Sequence, residues 1–227
     1  MKRLTEFMYK IPLWVYIINI IIVAAILAFT SSAGDSLTVD ESPHIGAAYS
    51  YIVTGDYRLN PEHPPLLKLF SGASIWLGTF MMGDIADFPV NSTNWVDKVN
   101  AQWDIGYEFL FRTTTNDANI IIWWARLPTI LIFLIGGVYI AYSVWYHTKR
   151  KSIGLIASFL YAFSPNVIAH GRLVTTDMIS SIAFILCIDI WIRYLQKPNW
   201  QHIGYLTLAL SFAFLSKFST ILLLPVL

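Results

Sequence analysis

Residues 11–30 read "IPLWVYIINIIIVAAILAFT", twenty positions without a charge. As a helix rising about 1.5 Å per residue, this run crosses the roughly 30 Å hydrocarbon core of a bilayer. A cleaved signal peptide is the other reading, since "TSSAG" at 30–34 offers small residues, but its apolar region would be shorter. Further apolar runs favour an anchor. They cover about 119–146, 153–170, 177–195 and 202–227, the last with a break near Lys217. The 227 residues are 56% hydrophobic and 13% charged, where a soluble domain carries about 25% charged residues. Nine Trp, twelve Tyr and fourteen Phe add an aromatic excess. The expected fold class is therefore all-α, a polytopic membrane helical bundle with a large external loop that contains membrane-surface helices. The single cysteine, Cys187, lies inside an apolar run and excludes an internal disulfide.

The net charge of +1 says little, but its distribution sets an orientation. Lys2, Arg3 and Lys10 precede the first run, "HTKRK" at 147–151 separates the second from the third, and Arg193 and Lys197 separate the fourth from the fifth. With the N-terminus cytoplasmic, all three basic clusters face the cytoplasm. Residues 31–118 and the turn near 166–176 then lie outside. Of the fourteen acidic residues, only Glu6 and Asp189 fall away from those external segments. The expected place is a plasma (inner) membrane, with the bilayer itself as a partner and no nucleic acid. The chain stops inside apolar sequence, "STILLLPVL", and reads as the N-terminal part of something longer.

The external loop opens with "DESPHIGAAYSYIVTGDYRLNPEHPPLLKLF", 40–70. Ser42 and Pro43 make a good cap and first helical residue. The expected helix, about 43–54, ends at Gly55 and lies on the membrane surface. Asp40 and Glu41 then sit before a helix N-terminus, whose partial positive charge favours their ionised forms. Pro64 and Pro65 open a second helix, about 65–77, with Lys68 in its first turn, a reasonable phosphate site. Each feature also has a plain structural reading. The acids could cap a helix, His44 and His63 could be interfacial, Lys68 could snorkel to headgroups, and the prolines could shape a loop. The histidines and acids show no short metal-ligand spacing, so no metal or other cofactor is called for, although a divalent ion is conceivable.

A second constellation is "SPNVIAHGRLVTTDM", 164–178, with His170, Arg172 and Asp177 at a membrane boundary. Ionisable groups there are costly unless paired or wet. The structural reading is an Arg172–Asp177 ion pair; the functional one is a second wall of the external pocket. Arg126 in "WWARLP" and Lys217 in "LSKFS" are two more cations in apolar surroundings near the outside.

Taken in order, the acidic pair, "GDYRLNPEHPPLLK", "ARLPTILIFLIGG", "LYAFSPNVIAHGRLVTTD" and "LSFAFLSKFS" resemble the polyprenyl-phosphate-dependent glycosyltransferases of the multi-spanning GT-C fold. The resemblance is to the protein O-mannosyltransferases and their bacterial relatives, which include the aminoarabinose transferases of lipid A. It runs from about residue 13 to the last residue. It implies an inverting transferase, metal-independent or weakly metal-linked. The donor would be a sugar on undecaprenyl or dolichyl phosphate, and the acceptor a hydroxyl of a protein Ser/Thr or a glycolipid. It maps the catalytic base to Asp40, the neighbouring acid to Glu41, and the "HPP" segment to His63, Pro64 and Pro65. Glu62 would orient the acceptor, and Arg172 and Asp177 match later family positions less securely. Family members are longer, so part of the donor groove would lie beyond these 227 residues.

The chemistry is consistent with that mapping. Inversion needs a base on one face of the sugar and the leaving phosphate on the other. The phosphate gains charge as it leaves and needs fixed cations; Lys68, Arg126, Arg172 and Lys217 are the candidates. Adjacent residues do not share a helix face, so Asp40 and Glu41 are expected to differ in role. Two other classes compete. A non-catalytic lipid-linked-sugar binding or accessory subunit would not need the acids. A transporter would place charges at mid-membrane, where only Asp189 stands, and Asp189 can pair with Arg193 one turn on.

Overall fold

The computed structural model describes residues 12–98 and 100–227. Lys2, Arg3 and Lys10, the basic residues expected to hold the N-terminus inside, lie outside the described residues. So does Glu6.

The first apolar run is helix α1, Leu13–Ser32. The external loop folds into α2 (Glu41–Thr54), α3 (Leu66–Met81), two short helices α4 (Thr93–Val96) and α5 (Gln102–Tyr107), and a wide turn over Glu108–Arg112. Then come α6 (Ala118–Thr148), α7 (Lys151–Ala162), α8 (Pro165–Gly171), α9 (Thr176–Gln196) and α10 (Trp200–Ser216). No strand occurs among the described residues, and the chain is an all-α polytopic membrane bundle. Helices α1, α6 and α9 are long and apolar enough to cross a membrane, and α7 with α8 makes a fourth if the bent pair counts as one span.

Two apolar runs differ from continuous spans. The run expected over 153–170 is broken, with α7 and α8 meeting at 63°. Pro165 lacks the N–H that would continue α7 and keeps Ser164 extended, at ψ 121°. The run expected over 202–227 ends as a helix at Ser216. Lys217 is extended, and a tight helical turn follows over Phe218–Leu223.

Helix α6 has 31 residues, about 46 Å, and so outruns a bilayer core by about 15 Å. Its first turns belong to the loop's own apolar core, where Ile121, Ile122 and Ala125 pack with Ile45, Tyr49, Ile75, Ile105 and Phe109. Pro128 lies inside this helix and cannot bond the carbonyl of Trp124; that carbonyl instead accepts the Ser74 hydroxyl of α3 at 2.6 Å. The proline that frees the acceptor thus ties the loop to the bundle. Within the bundle, α7 lies close along α6. Ser158 donates to the Gly137 carbonyl at 3.0 Å, and Tyr161 to that of Phe133 at 3.0 Å.

Helix α2 starts earlier than the Ser42–Pro43 cap implied. It begins at Glu41 with Asp40 as the flanking residue. Pro43 still falls in the first turn, where its missing N–H costs nothing. The end is as expected, with Gly55 at φ 68°. Most of α2 is buried against α3, α5 and the wide turn over Glu108–Arg112. The outward apolar face in this loop belongs to α3, where Phe70, Trp76, Leu77 and Phe80 are exposed.

Candidate active site

The loop and one end of the bundle meet around Glu41. Its carboxylate is fully buried and takes a two-pronged pair from Arg126, with Nε to Oε1 at 2.8 Å and Nη2 to Oε2 at 2.7 Å. It also accepts the N–H and hydroxyl of Thr38, each at 3.1 Å, and the N–H of Val174 at 3.0 Å. Arg126 donates further to the carbonyls of Ser32, Asp35 and Ser36. Four parts of the chain converge here: the end of α1, the start of α2, the third turn of α6 and the segment after α8. Burial alone would raise the Glu41 carboxyl. The hydrogen bonds and charge of Arg126, with the Thr38 and Val174 N–H groups, outweigh it and hold the group below its ordinary value. Glu41 therefore sits here as an ionised structural hub with no oxygen left free.

Asp40 is the contrast. It is exposed, its side chain makes no cap bond to α2, and it has no hydrogen bond or ion pair among the described residues. The plain capping reading thus fails for Asp40. Glu41 does reach back, its carboxylate accepting the Thr38 N–H and hydroxyl, but the Thr38 side chain does not cap the Glu41 N–H in return.

The "HPP" connection is held from beneath. Lys68 is buried, and its ammonium donates to the Asn60 carbonyl at 2.6 Å, the Asn60 side chain at 3.1 Å and the His63 carbonyl at 2.8 Å. All three of its N–H groups are used within the chain. Burial pushes this lysine down to about 8, against the opposing pull of Glu62. Asn60 stands at φ 52°, a left-handed conformation that asparagine tolerates better than most residues. Its amide donates to Gln102, which in turn donates to Glu62 at 2.6 Å. Neither Asn60 nor Gln102 stood out in the sequence; the Asn60-Pro61 pair was the available turn signal.

His63 packs against His44 of α2, ring centres 4.9 Å apart and planes tilted by 44°. Burial, then the charges of His63 and Lys68, push His44 down to about 3, so it is a neutral imidazole in the folded chain. Burial and Lys68 also lower His63, and Asp177 and Lys217 are near enough to act on it. Asp177 binds Lys217 at 2.6 Å and approaches His170 at 3.8 Å. The Arg172–Asp177 pair is not formed. Arg172 bonds instead to Asp35 and to the Ser31 carbonyl, because the break at Pro165 turns it back over the end of α1. Among the described residues, no three His, Cys, Asp or Glu side chains gather as a metal site.

All nine residues singled out, Asp40, Glu41, Glu62, His63, Lys68, Arg126, Arg172, Asp177 and Lys217, thus lie in the loop or at the bundle end it meets. Of the four cations, Lys217 and Arg172 keep partly open side chains, whereas Arg126 and Lys68 are enclosed.

Residues 108–227, just over half of the chain, match the model of the dolichyl-phosphate-mannose-protein mannosyltransferase family. The chain belongs to this family. It is a membrane glycosyltransferase of the mannosyltransferase type, from a family whose general chemistry moves a sugar from a polyprenyl-phosphate donor to a protein acceptor. No curated protein and no solved structure matches the chain. The mannosyltransferase match includes Arg126, Arg172, Asp177 and Lys217, and the acidic pair and "HPP" segment precede it. The Glu41–Arg126 pair joins the two parts physically.

Proposed function

We propose that the protein moves a mannose-like sugar from a polyprenyl phosphate to a hydroxyl acceptor with inversion at C1, and that Asp40 is the general base. The acceptor oxygen attacks C1 while its proton passes to the Asp40 carboxylate. The bond from C1 to the phosphate oxygen breaks, and its electron pair leaves with the lipid phosphate. Glu41 does not touch the substrates in this reading; clamped to Arg126, it sets the start of α2 and so aims Asp40. Lys217 and Arg172 receive the phosphate, since their side chains are the reachable cations. Lys68 acts through the loop, holding the His63 and Glu62 segment beside the acceptor. The loop faces the outside of a plasma membrane with the N-terminus inside, as the Lys and Arg distribution supports.

The observation that carries this reading is the free carboxylate of Asp40 beside a neighbour whose every oxygen is occupied. The test supplies polyprenyl-phosphate donors labelled in the sugar, with membrane extract as acceptor, to wild type and Asp40→Asn. Asp40→Asn is expected to lose about 10²- to 10⁴-fold in transfer with unchanged melting and donor binding. Transfer at the wild-type rate by Asp40→Asn would remove the base assignment. Donor binding without transfer in wild type would favour an accessory binding subunit.

A further inference from the structure

A second polar cluster lies at the opposite end of the bundle, and the transfer reading does not use it. Asp189 of α9 is buried and accepts from Tyr139, from Ser143 at 2.6 Å and from His147 at 2.6 Å. The i+4 partner Arg193 is there as expected, its Nη2 2.8 Å from Asp189 Oδ2. That approach lacks the alignment of a hydrogen bond, and Nε has no partner among the described residues. The guanidinium is held in place by Tyr146, 4.0 Å from its ring centre, and by Tyr142 at 5.1 Å. The Arg193 side chain is 14% exposed; Asp189 supplies one counter-charge, and the open edge of the guanidinium is available to a second anionic oxygen.

Beside it runs a groove of about 390 Å³ between α9 and α10. Leu186, Ile190, Leu208 and Phe212 line its length, with Arg193 and His202 where it reaches the helix ends. From His202 to Phe212 the groove follows α10 for about 15 Å, the depth of one leaflet of a bilayer core. His202 lies in the first turn of α10, where the helix dipole favours an anion; its own N–H is capped by Asn199 and its Nδ1 donates to the Lys197 carbonyl at 3.0 Å, which leaves ring Nε2 for a ligand. Lys149, Arg150, Lys151 and Lys197 stand at the same end, a basic rim that attracts anionic lipid surfaces.

We propose that this groove binds an anionic phospholipid, its phosphate on Arg193 and His202 and one acyl chain along Leu186, Ile190, Leu208 and Phe212. The site is independent of Asp40 and of the transfer reading.

The test measures retention of labelled phosphatidylglycerol and phosphatidylcholine, matched in acyl chains, by the purified full chain in detergent. Wild type is expected to hold phosphatidylglycerol about tenfold more tightly, the worth of a charge-assisted contact. Arg193→Gln should reduce phosphatidylglycerol to the phosphatidylcholine level. Leu208→Trp should weaken both lipids; Leu208 is 68% exposed, so this change fills the groove without disturbing the core and decides the matter if Arg193→Gln fails to fold. Inorganic phosphate should not compete. Equal retention of the two lipids by wild type, undiminished retention of both lipids by Leu208→Trp, displacement by inorganic phosphate, or retention of neither lipid would overturn the proposal.

Discussion

Glu41 and Arg126 are both essentially inaccessible to solvent, and each satisfies the other. Removing one partner of such a pair leaves a buried charge and costs about 3–5 kcal/mol, whereas replacing both with apolar residues is much milder. Denaturant unfolding should therefore show Arg126→Met and Glu41→Leu strongly destabilised and the double variant Glu41→Leu/Arg126→Met less so than either single change. A simple sum of the single effects would mean that the pair is not coupled. His44 makes a separate prediction about pH. Its imidazole falls from 6.5 in the unfolded chain to about 3 in the folded one. Across that window the unfolded chain holds a proton that the folded chain refuses. Stability is fully present above the unfolded value and declines as pH drops, by up to about 1.4 kcal/mol per unit. Glu41, lowered from 4.5, adds its own loss only below that value. Melting followed from about pH 7 to pH 5 should thus slope downward in wild type and less steeply in His44→Gln, where the lowered His63 still contributes; parallel curves would contradict the assignment.

At the scale of elements, the loop works because three helices approach backbone to backbone. A Cβ on Gly46 would stand 2.8 Å from the Gly106 Cα, one on Gly106 would strike the Ser42 carbonyl, and one on Gly72 the Ala48 carbonyl. These contacts are with backbone and cannot be relieved by a rotamer change. Gly106→Ala should push α5 off α2 and cost about 1–3 kcal/mol. It should also lower transfer, because Ser42 lies two residues from Asp40. Thermal melting and labelled-sugar transfer measured together check this, and unchanged melting would show that the helices can separate freely. Gly204, with open space around it, is the control, since Gly204→Ala removes helix-weakening freedom without a clash.

Viewed whole, the bundle separates two polar ends by an apolar middle. Asp40, Asp177 and their partners occupy the loop end, while Asp189 with Arg193 and the basic rim occupy the other. That division fits the orientation read from Lys and Arg, and labelling can test it. Val39 is 78% exposed beside Asp40, and Lys197 follows α9 at the far end. In intact cells, a membrane-impermeant maleimide should reach Val39→Cys at once and Lys197→Cys only after permeabilisation, with buried Cys187 silent in both. The reverse pattern would invert the topology and move the proposed reaction to the cytoplasmic face.

Run length and charge placement were enough to read an all-α membrane bundle from the sequence, because a bilayer admits apolar helices of one length and sorts cations to one side. The acidic pair, the "HPP" connection and the four cations were also visible there as residue types that apolar surroundings do not carry idly. Which of them are free was not visible. Lys68 looks like a phosphate ligand until the Asn60 and His63 carbonyls are seen to use its protons. Arg172 looks like the partner of Asp177 until the break at Pro165 carries it to Asp35. Asp40 and Glu41 are neighbours of the same chemical kind, yet Arg126, 85 positions away, binds one and leaves the other open. Partner choice across such distances depends on how the helices pack, and no local pattern records it. The sequence by itself determined that this chain is a membrane bundle with a charged loop; tertiary packing decided which carboxylate of the adjacent pair is clamped and which is left open.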